Sequence, residues 1–252
     1  MTPTNPSPQP PPLSAKRRTF IRNLSLASSA AGIAGMTNLA GMLTCYSFIS
    51  NVTGHTVSFA NKMLEKNWFD MVVILAWMCI FLAGAAIARF LIRYFQYKGY
   101  KGAHYIPLGL EAAVLLSVGI YGEYFHQQTV AETQWLAGLL LFSMGIQNSA
   151  ISTITGQTGQ GIKTTHMTGL FTDLGTDLAD LLHARRGRGV IYVQGFRMRI
   201  SILTSYIAGA LLSGWGYFHL GFKIFYVISL LLIILMIVDR ILSRWVHAAD
   251  VA

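Results

Sequence analysis

The chain has 252 residues, 53% of them hydrophobic and only 12% charged, with a mean hydropathy of +0.49. Soluble domains carry charge on roughly a quarter of their residues, so this composition excludes an ordinary soluble enzyme, a disordered regulator and a coiled coil, and points to a polytopic helical membrane protein. The formal charge of +9, from nineteen basic and ten acidic residues, speaks in so apolar a chain for an anionic lipid surface rather than for nucleic acid.

Residues 1–14 hold six of the seven prolines and no charged side chain. Such a segment cannot bury a core. With the basic cluster Lys16, Arg17, Arg18 and Arg22 it makes a disordered Pro-rich and basic cytoplasmic tail, residues 1–22. A twin-arginine export signal is the other reading of that cluster. The following apolar stretch outruns signal length, and five more apolar stretches follow it, so a first membrane span is preferred.

Residues 23–248 then form a membrane domain of six transmembrane helices, each about 20 residues long. The spans are predicted at 24–43, 69–90, 106–124, 135–154, 200–217 and 224–241. The first and fourth are rich in Gly, Ser, Ala and Asn, a composition suited to helix packing rather than to lipid contact. The sixth, rich in Ile and Leu, reads as lipid-facing. If the N-terminus is cytoplasmic, sixteen of the nineteen lysines and arginines fall on the cytoplasmic side, and Lys62, Lys66 and Lys223 on the other. The positive-inside rule therefore puts both termini in the cytoplasm.

Two stretches share a pattern. Gly35-Met36-Thr37-Asn38 is followed by Val52-Thr53-Gly54-His55, and Gly145-Ile146-Gln147-Asn148 by Met167-Thr168-Gly169-Leu170. Each copy is followed by two more spans. Three spans per copy is an odd number, so the copies must lie in opposite orientations. The expectation is a 3+3 inverted repeat, about 24–125 and about 134–245, with broken or re-entrant segments near Thr53 and Thr168. Chance similarity, or duplication for stability alone, is the alternative.

The stretch 144–148, together with 162–175 (Ile162-Lys163-Thr164-Thr165-His166-Met167-Thr168-Gly169-Leu170-Phe171-Thr172-Asp173-Leu174-Gly175), resembles the signature of the YoaK family. Gly35, Asn38, Thr53 and Gly54 are similar to that family's N-terminal motif, and the resemblance runs over about residues 24–245. It implies a six-span inner-membrane protein of bacteria, in a family without an assigned function.

Candidate site residues follow from the polar groups placed in apolar spans. Threonine is a good N-cap, and the glycine after it permits close approach, so Thr53-Gly54 and Thr168-Gly169 are expected to start helices whose N-termini receive an anionic or polar group. Turning the chain for tight packing is the plainer role. Asn38, Gln147 and Asn148 must find partners or line a wet cavity. Glu111 lies inside an apolar span, where an acid is a candidate for proton coupling. Asp173, Asp177 and Asp180 share one face of an amphipathic helix. They are expected in water along the membrane surface, paired with Arg185, Arg186 or Arg188, or, for Asp173 and Asp177, facing an ion or proton path.

Cys45 and Cys79 are too few and too apolar in setting for a disulfide framework or a cysteine-built metal site, and the seven histidines show no ligand spacing. No phosphate-binding loop, zinc-protease motif or dinucleotide fingerprint occurs. Ser143 and Ser213 lie near glycines, but residues 224–241 contain no histidine to pair with an intramembrane nucleophile. No enzyme, metal or cofactor is therefore expected. The partners are the bilayer and a small solute, with no nucleic acid, and a homodimer is compatible with so few spans. Transport or channelling of a small polar or anionic solute is the leading expectation. A non-transporting scaffold, sensor or lipid-interacting protein is the alternative, and the two differ in whether Asn38 and Asn148 meet a cavity or a close-packed interior.

Overall fold

The computed structural model describes residues 13–100, 102–156, 164–183 and 189–251. These residues are all helix and connection: α1 (Leu13–Cys45), α2 (Val52–Leu64), α3 (Trp68–Tyr97), α4 (Tyr105–Tyr124), α5 (Val130–Gly156), α6 (Met167–His183), α7 (Gly189–Leu220) and α8 (Ile224–Val251), with a 3-10 turn at Gly221–Lys223. The six apolar segments expected from the sequence lie within α1, α3, α4, α5, α7 and α8. α1 begins at Leu13, so residues 13–22 are helix rather than tail. Residues 1–12 lie outside the described residues.

Local chemistry sets the helix ends. The side chain of Asn51 accepts from Gly54 N at the start of α2, and that of Asn67 accepts from Asp70 N at the start of α3. Each satisfies a backbone donor that the first turn leaves free. α3 stops at Gly99, whose φ of +78° suits a residue without a Cβ. Gly99 N donates to Gln96 O at 2.9 Å, Tyr100 N donates to Phe95 O at 3.0 Å, and the Phe95 and Tyr100 rings meet at 5.6 Å. This is the double hydrogen bond and apolar contact of a Schellman stop.

Five stretches are long and apolar enough to cross a membrane: Arg17–Cys45, Trp68–Tyr97, Tyr105–Tyr124, Val130–Thr155 and Val193–Arg244. The last contains α7 and α8, folded back on each other at Gly221, whose φ is +54°. Contacts with α1 fix the two directions. Ser28 and Ser201 hydroxyls meet at 2.7 Å, and Ser213 Oγ donates to Met36 O at 2.8 Å, so α7 runs parallel to α1. Asp239, late in α8, pairs with Arg22, early in α1, so α8 runs the other way.

The same reasoning orders the rest. Trp77 Nε1 donates to Gln134 O at 3.1 Å and Arg89 Nη1 to Thr153 Oγ1 at 2.8 Å, so α3 and α5 are parallel. Gln147 Nε2 of α5 donates to Ala30 O of α1 at 3.2 Å, while Gly41 approaches Leu140, so α1 and α5 are antiparallel. Ser229 Oγ of α8 donates to Ala112 O of α4 at 2.8 Å, and Tyr105 Oη reaches Asp239 at 2.9 Å, so α4 and α8 are antiparallel.

The main core lies among α1, α4, α5 and α8, around Ile33, Leu108, Leu115, Leu140, Met144 and Phe225. Backbones approach closely where side chains vanish. A Cβ on Gly35 would run into Tyr206 O of α7, and one on Gly145 into Phe81 O of α3. From the other side, a Cβ on Gly209 would strike Gly32 O and one on Gly84 would strike Phe142 O. Small residues that let helix backbones meet are the usual device of packing in lipid. Large apolar side chains instead cover the outside, among them Leu82, Phe90, Leu211, Trp215, Phe218 and Ile237. This is the distribution of a protein solvated by hydrocarbon, and the described chain is a helical membrane protein.

Candidate functional site

α2 and α6 are the short helices, 13 and 17 residues. Each follows a long helix and precedes another in hairpin fashion. The chain leaves α1 at Cys45 and turns back until Ser50 lies beside Asn38, seven residues before the end of that helix. Ser50 Oγ donates to Asn38 Oδ1 at 2.6 Å, and Asn38 Nδ2 donates to Ala34 O at 2.9 Å. α2 starts two residues later.

The second short helix is held in the same way. Asn148 Nδ2 donates to Thr165 Oγ1 at 2.6 Å, and Asn148 Oδ1 accepts from Thr165 N and from Thr164 Oγ1, both at 3.3 Å. α6 starts two residues after Thr165. In both places an asparagine inside a long helix staples the strand of chain that enters a short one.

Both starts open into one cavity of about 1280 Å³. Its wall includes Asn38 from α1, Ser50 to Thr53 around the start of α2, Phe81, Ala85 and Arg89 from α3, Asn148, Ser149, Ser152 and Thr153 on one face of α5, Thr165 to Thr168 around the start of α6, and Tyr206 from α7. Phe81 and Tyr206 stand near the middle of α3 and α7, so the cavity reaches mid-span. It extends along α3 past Arg89 to Gln96, near that helix's end.

Four of the expected residues therefore meet: Asn38, Thr53, Asn148 and Thr168 all line this cavity. Thr53 and Thr168 are solvent-exposed in it. They are not the caps. Asn51 caps α2, and Thr53 and Thr168 occupy the second position of their helices. A helix begins where its own first free N–H groups are met, and the Asn51 carboxamide does that two residues earlier than Thr53 would.

The other expected residues stand behind or beside the wall. Gly54 leaves room for the Asn51 carboxamide, and Gly169 for the His166 ring. Gln147 is fully buried and spans the α1–α5 contact, with Oε1 lacking a hydrogen-bond partner among the described residues. Glu111 is fully buried in α4, and neither carboxyl oxygen has such a partner. It does not line the cavity.

Asp173 and Asp177 are bound by Arg199 of α7, the first at 3.3 Å and the second in a closer pair. This ties α6 to α7. The arginines expected as partners, Arg185, Arg186 and Arg188, lie outside the described residues. Glu123, at the end of α4, pairs with Lys223 at 3.1 Å. At the α2–α3 corner, Lys62 contacts Glu65 at 2.8 Å and Asp70 at 3.7 Å. Hydrogen bonds from Lys62 and Asn61 hold the Glu65 carboxyl below the usual carboxylate range.

Sequence reasoning missed Ser50, Asn51, Arg89, Thr165 and Tyr206 as parts of this wall. The position of Ser50 and Thr165, two residues ahead of each short helix, is the signal that was available. It also missed Asp239. This aspartate is buried, accepts from Arg22 Nε at 2.9 Å and Nη2 at 3.0 Å, and accepts from Tyr105 Oη at 2.9 Å. His104 Nε2 stands 3.7 Å from it. The cluster joins α1, α4 and α8 at the end of the bundle where the chain enters and leaves.

Neither a curated protein nor a solved structure matches the chain. A family model does, over residues 26–238, which span α1 to α8 and both short helices. The chain belongs to that family, described as a protein of unknown function (DUF1275).

Proposed function

We propose that this protein moves a small polar or anionic solute across a bilayer, through the cavity between two oppositely oriented halves. The observation that carries the reading is the convergence of both short-helix starts, with Asn38 and Asn148, on one cavity at mid-span. A scaffold would need no cavity there.

In this reading the halves are α1 to α4 and α5 to α8, each with three crossings and one half-helix, giving six crossings. Several pairs of contacts support it. α1 packs on α7 through Gly35, and α5 packs on α3 through Gly145, at corresponding places in the two motifs. Asn38 holds Ser50 as Asn148 holds Thr165. α1 and α5 are antiparallel, as an inverted repeat requires. The fold-back at Gly221 divides the longest apolar stretch into two crossings. The basic residues then gather at the end that holds the start of α1, which by the positive-inside rule is the cytoplasmic face of a bacterial inner membrane.

Transport follows from rocking of one half against the other, with the half-helices moving with their own asparagine staples. Glu111, an acid in the packed interior without a hydrogen-bond partner among the described residues, is the candidate for proton coupling. The scaffold reading keeps one supporting observation: both asparagine carboxamides already have internal partners.

The test has two steps. A thermal-shift screen of small solutes on the purified protein identifies ligands that stabilise the folded state. Flux of those ligands into proteoliposomes is then measured for the wild type and for Thr53→Ala with Thr168→Ala. The double variant is expected to lose at least about tenfold in flux, the equivalent of about 1.4 kcal/mol. Unchanged flux in that variant removes this reading of the cavity.

A further inference from the structure

Among the described residues that line the cavity, one carries a permanent charge. This is Arg89, and no Asp or Glu is among them. Arginine in a membrane span ordinarily finds an acid, as Arg22 finds Asp239 and Arg199 finds Asp173 and Asp177 here. Arg89 does not. Among the described residues its one partner is the hydroxyl of Thr153, at 2.8 Å. A guanidinium has five N–H donors, so most of its hydrogen-bonding capacity is left without a partner among the described residues, on a side chain that lines the cavity.

We infer that the cavity is a binding site for a small organic monocarboxylate, with Arg89 as the residue that recognises its charge. This rests on the solute-binding reading above and names the class of solute. The planar fork of arginine matches the two oxygens of a carboxylate, and a single cation with no acid beside it fits one negative charge better than two.

The neighbourhood completes the site. Ser149, Ser152 and Thr153 stand at i, i+3 and i+4 on α5, so their hydroxyls share the face that Arg89 touches. Ser149 and Ser152 add neutral donors for the carboxylate oxygens, while the Thr153 hydroxyl, which donates to Ser149 O at 2.7 Å, accepts from Arg89 and holds the guanidinium in place. Leu39, Met42, Phe48, Phe81 and Met167 give the same cavity an apolar wall. The ligand is therefore an amphipathic acid, its carboxylate toward Arg89 and its hydrocarbon toward mid-span. Inorganic oxyanions, which have no apolar part, leave that wall unused.

The probes are butyrate and benzoate, with butyramide as the neutral isostere, succinate as a dianion and inorganic phosphate as an oxyanion without hydrocarbon. Binding is measured by calorimetry on the full chain in nanodiscs. Butyrate or benzoate is expected to bind at least about tenfold more tightly than butyramide, succinate or phosphate. Arg89→Gln is expected to remove that preference. Arg89→Lys, which keeps the charge and loses the fork, is expected to weaken carboxylate binding about tenfold. Arg93→Gln, one turn further along α3 and off the wall, is expected to bind as the wild type does. Each variant is first required to match the wild type in elution volume and in unfolding temperature without ligand. Should Arg89→Gln fail that check, Arg89→Lys carries the comparison.

Absence of carboxylate binding, equal binding of butyramide, phosphate binding as tight as butyrate, or equal losses in Arg89→Gln and Arg93→Gln would each overturn the assignment. The transport reading fails separately. Charge-selective binding without flux in proteoliposomes leaves the carboxylate site standing and removes transport. Flux that ignores Arg89→Gln does the reverse.

Discussion

A methyl group is the smallest change a protein can make, and four glycines here measure what it would do. At Gly35, Gly84, Gly145 and Gly209 a Cβ meets the backbone oxygen of a neighbouring helix, which cannot swing aside as a side-chain tip would. Gly145→Ala is therefore expected to part α5 from α3 and to cost about 1–3 kcal/mol, the usual range for overpacking. Gly175→Ala is the matched control. It lies inside α6 with nothing within 4 Å of the added methyl, so it is expected to be neutral or to stabilise by roughly 0.5–1 kcal/mol through helix propensity. Thermal unfolding of the two purified variants checks the contrast, and equal effects would contradict the packing described. Gly145 was legible in the sequence as part of a repeated motif, but its partner was not. Residue type announces that something approaches closely. Only the fold tells that Phe81 O is what approaches.

Among the helices, what could be read locally was read well and what depended on distant partners was not. The apolar segments of six helices were located from composition, because burial in hydrocarbon demands about 20 apolar residues at a stretch. The starts of α2 and α6 were placed beside Thr53 and Thr168, which turned out to be one step inside the helices rather than at their caps. Asp239 went unnoticed since its partner Arg22 is 217 positions away and both sit among ordinary end-of-span charges. That pair is also where the next expectation lies. Asp239 is 3% exposed and Arg22 16%, so removing one partner strands a buried charge. Asp239→Asn and Arg22→Met are each expected to destabilise by about 3 kcal/mol. The double variant is expected to cost less than the sum, because no charge is then left alone. A double-mutant cycle by thermal unfolding reads the coupling directly, and strict additivity would show that the cluster does not join α1 to α8 as an ion pair.

At the scale of the whole molecule the proposed halves are alike in packing and unlike in charge. If Gly84 and Gly209 occupy equivalent places, as their matching contacts with Phe142 O and Gly32 O suggest, then Ala85 corresponds to Ala210, Phe81 to Tyr206 and Arg89 to Gly214. The first two pairs keep similar size, and all four residues line the cavity. The last pair breaks the symmetry, leaving the cavity positive toward the end of α3 and neutral along α7. A solute anion entering a cavity with that asymmetry is drawn toward the end of the bundle that holds Arg22 and Asp239. Which side of the membrane that end faces is then the decisive fact about direction, and single cysteines can report it. In a background lacking Cys45 and Cys79, a cysteine at Lys66 or at Lys223 is expected to react with a membrane-impermeant maleimide added outside intact cells. One at Lys98 or at Arg244 is expected to react only after the membrane is opened. Labelling of Lys66 and Lys223 from opposite sides would leave an odd number of crossings between α3 and α8, and two mirror-oriented halves could not then be built from this chain.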